Sequence, residues 1–266
     1  MMSDYNLMEA IDSEQSRLEE YEELLVRRDQ LLKKANSYRI SYTAEFGDML
    51  TENFKLKIEC IKLKKSISYC RRRLNRGLAI DATKMRMEIE QEMKLYYVQL
   101  KEMMKETINA KSAMVVDEYR VMRSKKIYHR LVSILHPDVN KKITENEVLM
   151  ELWNRIVEAY HRSDADTLDE LEVLVHKTME ELGDAGIDLN LSDIEQRIEK
   201  VERQINEIIT TEPYTYGEIL YDEETRKAHR EQLQAEHDDY EQYFAALQKA
   251  LDEILAEGGA VIRSII

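Results

Sequence analysis

The chain has 266 residues, a net charge of −14 and 35% charged residues, yet only 2 Pro and 7 Gly. No stretch approaches the roughly 18 apolar residues that a membrane-crossing helix needs, and Met1-Met2-Ser3-Asp4-Tyr5 lacks the basic and apolar regions of a secretory signal. These features exclude a membrane-embedded class, favour a cytoplasmic protein and predict an all-α fold of long helices with few turns. The charge is uneven: residues 144–266 carry 31 acidic and 11 basic side chains, and residues 1–143 carry 22 and 28. Such asymmetry suits separate surfaces for separate partners, although solvated charge on helical hairpins explains it equally well.

In chain order, Leu18, Tyr21, Leu25, Leu32 and Ala35 mark one stripe of a first helix over about 12–36, with a turn expected between Tyr38 and Gly47 unless the first helix runs further. A second helix over 48–75 carries Leu56, Cys60, Leu63, Ile67, Cys70 and Leu74 at alternating steps of four and three. That heptad seam predicts knobs-into-holes packing against another helix, and Gly77 suits the left-handed residue closing it. A third helix, about 82–117, presents Met85, Ile89, Met93, Tyr96, Leu100 and Met103 on one face. Thr144 and Glu147 have the spacing of a capping box ahead of the helix that holds Trp153. Ser163 to Asp166 should start another helix, bearing Leu168, Leu171, Val175, Met179 and Leu182, before Gly183 and Gly186 break the pattern. Ser192 to Glu195 forms a second capping box. Behind it Ile194, Ile198, Val201, Ile205 and Ile208 give the cleanest heptad in the chain. Pro213 and Gly217 interrupt, and a last helix over about 223–256 carries Leu233, Tyr240, Phe244, Leu247, Leu251 and Ile254. One short connection between two heptad helices favours an antiparallel hairpin; self-association through the same faces remains open.

The tripeptide His136-Pro137-Asp138 is the most specific signal. Ahead of it Tyr128, Leu131, Val132 and Leu135 fall on one helical face, and Lys126 and Arg130 fall on another. Proline has no N–H and biases the residue before it away from the α region, so the helix must end near Leu135. His136 and Asp138 then sit on a tight turn beside basic residues, a corner suited to docking on another protein.

Residues 120 to 163 resemble the J-domain of DnaJ-type co-chaperones. Lys125, Lys126, Tyr128 and Leu131 match the family's K-K-x-Y-x-x-L pattern, and His136, Pro137 and Asp138 match its hallmark. Trp153, Ile156, Glu158, Ala159 and Tyr160 follow F-x-x-I-x-E-A-Y, with Trp153 at the Phe position. The likeness implies a helix–turn–helix unit cored by Tyr128, Leu131, Leu135, Trp153, Ile156 and Tyr160. It also implies docking on a DnaK-type (heat-shock-70 class) chaperone through His136, Pro137, Asp138, Lys125, Lys126 and Arg130, with stimulation of its ATPase. Asp138 would accept a partner arginine, a directional and charge-assisted contact. The chain departs from the family in lacking the opening D-Y-Y-x-x-L-G segment, the Gly/Phe-rich linker and the C-x-x-C-x-G-x-G zinc repeats, and Ile134 stands where Lys is common.

The expected organisation is an N-terminal helical hairpin over 1–80, a connecting helix over 81–118, the J-domain-like unit over 119–183 and a C-terminal antiparallel hairpin over 188–266. Flanking coiled-coil arms would carry the unit to a client protein. The alternative is a coiled-coil scaffold or adaptor whose J-like unit stimulates no chaperone.

Other candidates are weaker. Cys60 and Cys70 lie ten apart in one seam, about 15 Å along a helix. That is too far for a disulfide, so buried filler is the expectation. The six histidines show no metal-ligand spacing. No nucleophile, phosphate loop or acidic pair accompanies His136, so no catalytic group, cofactor or metal is expected. The basic run Lys55, Lys57, Lys62, Lys64, Lys65, Arg71, Arg72, Arg73 and Arg76 would suit nucleic acid or an anionic membrane surface, but pairing with acidic helices of the same chain, such as the one bearing Glu19, Glu20, Glu22 and Glu23, is favoured. Tyr214, Tyr216 and Tyr221 either form a partner hot spot or close a hairpin end by local packing.

Overall fold

The computed structural model describes residues 2–113, 118–140, 142–181 and 194–257. Among them every regular element is a helix, as the composition predicts. In chain order they are α1 (Met2–Leu74), α2 (Ala82–Ser112), α3 (Glu118–Leu135), α4 (Lys142–Glu145), α5 (Glu147–His161), α6 (Ala165–Glu181), α7 (Ile194–Thr210), α8 (Tyr216–Tyr221) and α9 (Glu223–Glu257).

The expected turn between Tyr38 and Gly47 is not formed, because α1 runs unbroken through it. The stretch holds no proline, and a lone interior glycine costs only about 1 kcal/mol relative to alanine. Gly47 serves packing instead. A Cβ built on it would lie 2.5 Å from Thr107 Oγ1 and 2.8 Å from Thr107 Cγ2, so its bare backbone admits α2 at close range. The N-terminal hairpin is therefore made by α1 and α2, not within residues 1–75. Its bend follows a Schellman motif. Leu78 N–H donates to the Arg73 carbonyl, Gly77 N–H donates to the Leu74 carbonyl, and Gly77 has φ +66°.

The chain divides into two compact units, Met1–Ser37 with Met114–Thr215, and Tyr38–Ala113 with Tyr216–Ile266. In the second unit the seam residues Cys60, Leu63, Ile67 and Cys70 are buried, and Cys70 Sγ lies 3.7 Å from Met85 Sδ. Burial pushes both thiols above their ordinary pKa, as expected of filler. α2 packs antiparallel to α1 through Lys111–Asp48, Lys65–Glu92 and Arg72–Glu88. Four of the nine basic residues thus pair, Lys65 and Arg72 with acids of α2 and Lys55 and Lys62 with Glu52 and Glu59 of their own helix. Glu19 to Glu23 cannot serve, since they lie on the same continuous helix. α9 runs in the direction of α1, with His229 on Tyr42 and the Leu233 carbonyl accepting from Asn53 at 2.9 Å. Tyr216 stacks on Tyr42 at 4.1 Å and the largely exposed Tyr221 meets Tyr38 edge-on, so both contact α1 and do not close a hairpin of α7 and α9.

In the first unit α3, α5 and α6 surround one core that includes Leu131, Val132, Leu135, Ile156, Leu168, Leu171 and Val175, all fully buried. Each such side chain contributes about 1.5–3 kcal/mol through burial. Tyr21, Leu25 and Val26 of α1 and Ile198, Val201 and Ile205 of α7 belong to the same core. This corrects two expected boundaries. The core expected within 119–183 is not confined to it, because residues of α1 and α7 belong to the same core. The hairpin expected of 188–266 is not formed either, because α7 packs in the first unit and α9 in the second.

Capping differs in one place. Asn146, not Thr144, caps α5, accepting from the N–H groups of Val148 and Leu149. Thr144 lies in the short helix α4, so it cannot supply the non-helical geometry of an N-cap. Asp164 caps α6 by accepting from the Thr167 N–H and hydroxyl. Ser192 and Asp193, expected to cap α7, lie outside the described residues.

Candidate functional site

α3 ends at Leu135, where Pro137 demands it. The turn is closed by Val139 N–H and Asn140 N–H, which both donate to the His136 carbonyl at 2.9 Å. The three residues of the turn then divide their tasks. His136 is buried, with its ring edge-on to Trp153 at 4.7 Å. Its Nδ1 accepts the Asp138 backbone N–H at 3.0 Å. Burial lowers the imidazole pKa to about 4, against a smaller opposing pull from Asp138 and Asp29. The ring is therefore neutral near pH 7, and the 3.9 Å approach of Nδ1 to the Asp138 carboxylate is no ion pair. His136 is a brace for the turn and not a reactive base. Asp138 is the presented group, with its side chain 55% exposed.

Beneath the turn lies an aromatic stack. Tyr128 and Tyr160 are parallel at 3.9 Å, and Tyr128 lies 5.9 Å from Trp153. The Tyr128 hydroxyl donates to the Asp29 carboxylate at 2.6 Å, and Arg28 Nε donates to the same carboxylate at 2.9 Å. Desolvation, then the Asp29 charge, pushes the Tyr128 hydroxyl well above the usual phenol range. Lys33 Nζ donates to the Tyr160 carbonyl at 2.7 Å above that ring, and burial lowers its pKa to about 8.

The expected site residues separate. His136, Pro137 and Asp138 form one corner. Lys125 and Lys126 are exposed on α3. Arg130 is not an open contact, because its guanidinium binds the Glu172 carboxylate in bidentate fashion at 2.6 and 2.7 Å. Arg123 is held likewise by Asp166 and Asp169. The acids of α6 thus neutralise much of the α3 basic face. All six expected core residues, Tyr128, Leu131, Leu135, Trp153, Ile156 and Tyr160, are buried.

Two arginines that the motif does not announce stand at the corner. Arg28 Nη1 lies 3.9 Å from the Asp138 carboxylate, and Arg197 Nη1 donates to the Asp138 carbonyl at 2.9 Å. A groove of about 520 Å³ opens there, lined by Asp138, Pro137 and one face of α7. Nothing local in the sequence joins Arg28 to Asp138. Arg197, Lys200 and Arg203 recur at steps of three on α7, a spacing that the heptad of apolar residues beside it overshadows in the sequence. Among the described residues no group of His, Cys, Asp and Glu could hold a metal ion, and no helix is long and apolar enough to cross a membrane. No protein-family model, curated protein or solved structure matches this chain.

Proposed function

We propose that this protein is a non-enzymatic J-domain-like co-chaperone that docks on a DnaK-type chaperone through the His136-Pro137-Asp138 turn and stimulates its ATPase. The observation that carries the reading is the division of labour in the turn. A buried neutral His136 fixes the backbone through the Asp138 N–H, and the Asp138 carboxylate is held out with half its surface in solvent. A carboxylate fixed this way is matched to a guanidinium. Lys125 and Lys126 steer the approach of an acidic partner. The unit lacks the family's opening motif, but Tyr21, Leu25 and Val26 of α1 still cover the α3–α5 core. The second unit would place the chaperone on a client. The test is a steady-state ATPase titration against the host's DnaK-type chaperone. Asp138→Asn should leave helicity unchanged and abolish stimulation; full activity in that variant removes the mechanism.

A second reading is a helical scaffold whose J-like unit no longer stimulates a chaperone. The commitment of Arg130 to Glu172 favours it. Capture of other proteins by the wild-type chain, with ATP hydrolysis unchanged, would select it. Pairing of the 55–76 basic run with α2 weighs against a nucleic-acid role.

A further inference from the structure

Helix α7 sorts its residues onto three faces. Ile198, Val201 and Ile205 are buried in the first unit. Glu195, Glu199 and Glu202 are exposed, and Glu199 and Glu202 border Arg203 on the side away from the turn. Arg197, Lys200 and Arg203, three apart, face the groove beside the turn. At the usual rise the row spans about 9 Å. Arg197 anchors it to the Asp138 carbonyl, and Lys200 and Arg203 are exposed. Among the described residues neither makes an ion pair with a carboxylate, and Asp138 is the sole acid lining the groove. Arg28 enters from α1 with its charge already balanced by Asp29 at 2.9 Å.

The contrast with α3 decides what this row is for. Arg120, Arg123 and Arg130 are answered by Asp164, Asp166, Asp169 and Glu172 of the same unit. On α7, among the described residues, no carboxylate forms an ion pair with Lys200 or Arg203, although Arg203 Nε donates to the Glu199 carbonyl of its own helix. A solvated row of like charge next to one exposed carboxylate makes a two-signed surface. It fits a partner that carries carboxylates around a projecting guanidinium, and like-signed partners are rejected.

We propose that the chaperone seats in this groove, with Lys200 and Arg203 of α7 receiving partner carboxylates while Asp138 receives a partner arginine. The inference rests on the co-chaperone reading and extends its contact surface from α3 to a helix outside the J-like motif. On docking, the partner guanidinium takes the place that Arg28 holds at 3.9 Å, and Arg28 keeps its contact with Asp29.

The test is ATPase stimulation by the full chain at several ionic strengths. Lys200→Glu/Arg203→Glu is compared with a charge-matched control, Lys227→Glu/Lys249→Glu, on exposed positions of α9. The α7 variant should need at least about tenfold more protein for half-maximal stimulation, and the gap should narrow as salt screens the contact. The control should stay within about twofold of wild type. Unchanged circular dichroism excludes misfolding, since both substituted α7 side chains are exposed. Wild-type stimulation with an unaffected α7 variant overturns the inference and leaves the co-chaperone reading standing. Failure of the wild type to stimulate sinks both. Binding of a duplex oligonucleotide that the α7 variant abolishes, with stimulation untouched, assigns the groove to nucleic acid and also overturns the inference.

Discussion

The Tyr128 hydroxyl reaches the Asp29 carboxylate at 2.6 Å, tying α3 to α1 across 99 residues of sequence. Asp29 is only 8% exposed, so its charge depends on that donor and on Arg28. Tyr128→Phe keeps the ring stack and removes the donor. It should cost about 1–3 kcal/mol, the range for leaving a buried acceptor underserved, measured by urea denaturation. A loss below about 0.5 kcal/mol would mean that Arg28 alone satisfies Asp29.

His136 should make the first unit acid-sensitive. Its pKa is about 4 in the fold, against an ordinary value of 6.5. Between these values the unfolded chain binds the extra proton, so stability rises with pH there. The contribution is complete above pH 6.5 and is lost as pH falls toward 4. From pH 7 to pH 5 the loss should be about 2 kcal/mol. His136→Gln should lose that much less over the same interval, which denaturation curves of the two proteins at both pH values would reveal. Identical pH slopes would contradict the burial of a neutral imidazole.

Gly47→Ala should destabilise the second unit, although alanine is the better helix former. The added methyl meets Thr107, and overpacking of this kind costs about 1–3 kcal/mol against a propensity gain of about 1 kcal/mol. In a Thr107→Ala background the same change should become neutral or stabilising. Thermal melts of the four proteins give the coupling, and simple additivity would show that the clash is relieved by backbone movement.

The start of α5 offers a sharper choice between two neighbouring residues. Asn146→Ala should cost about 1 kcal/mol, the usual value of an N-cap, because the side chain serves two backbone donors. Thr144→Ala should cost less. The reverse order, measured by chemical denaturation, would restore the capping box read from the sequence.

What could be read in the sequence was local. Pro137 dictated the end of α3, Gly77 the end of α1, and the apolar stripes the buried faces, because each rests on backbone geometry or helical period within a few residues. The Ile198–Val201–Ile205 heptad announced that α7 has a partner but could not say which helix, since periodicity fixes a face and not its neighbour. The uninterrupted α1 was only the second choice, because a glycine between two stripes is read as a break, whereas here it is a point of close approach. At the turn, Asp138 was legible from the motif. The arginines beside it come from 59 residues downstream and from another helix altogether, and no local pattern encodes such an encounter.

The two cysteines, Cys60 and Cys70, are buried in the second unit, and the chain's one tryptophan, Trp153, lies in the core of the first. Each half therefore carries a native reporter of its own. In a single titration with denaturant, indole fluorescence follows the opening of one half, and alkylation of the thiols, shielded and poorly ionised until exposed, follows the other. Midpoints that coincide would mark the molecule as one cooperative body, and midpoints that part would give each half a separate stability without any label being added.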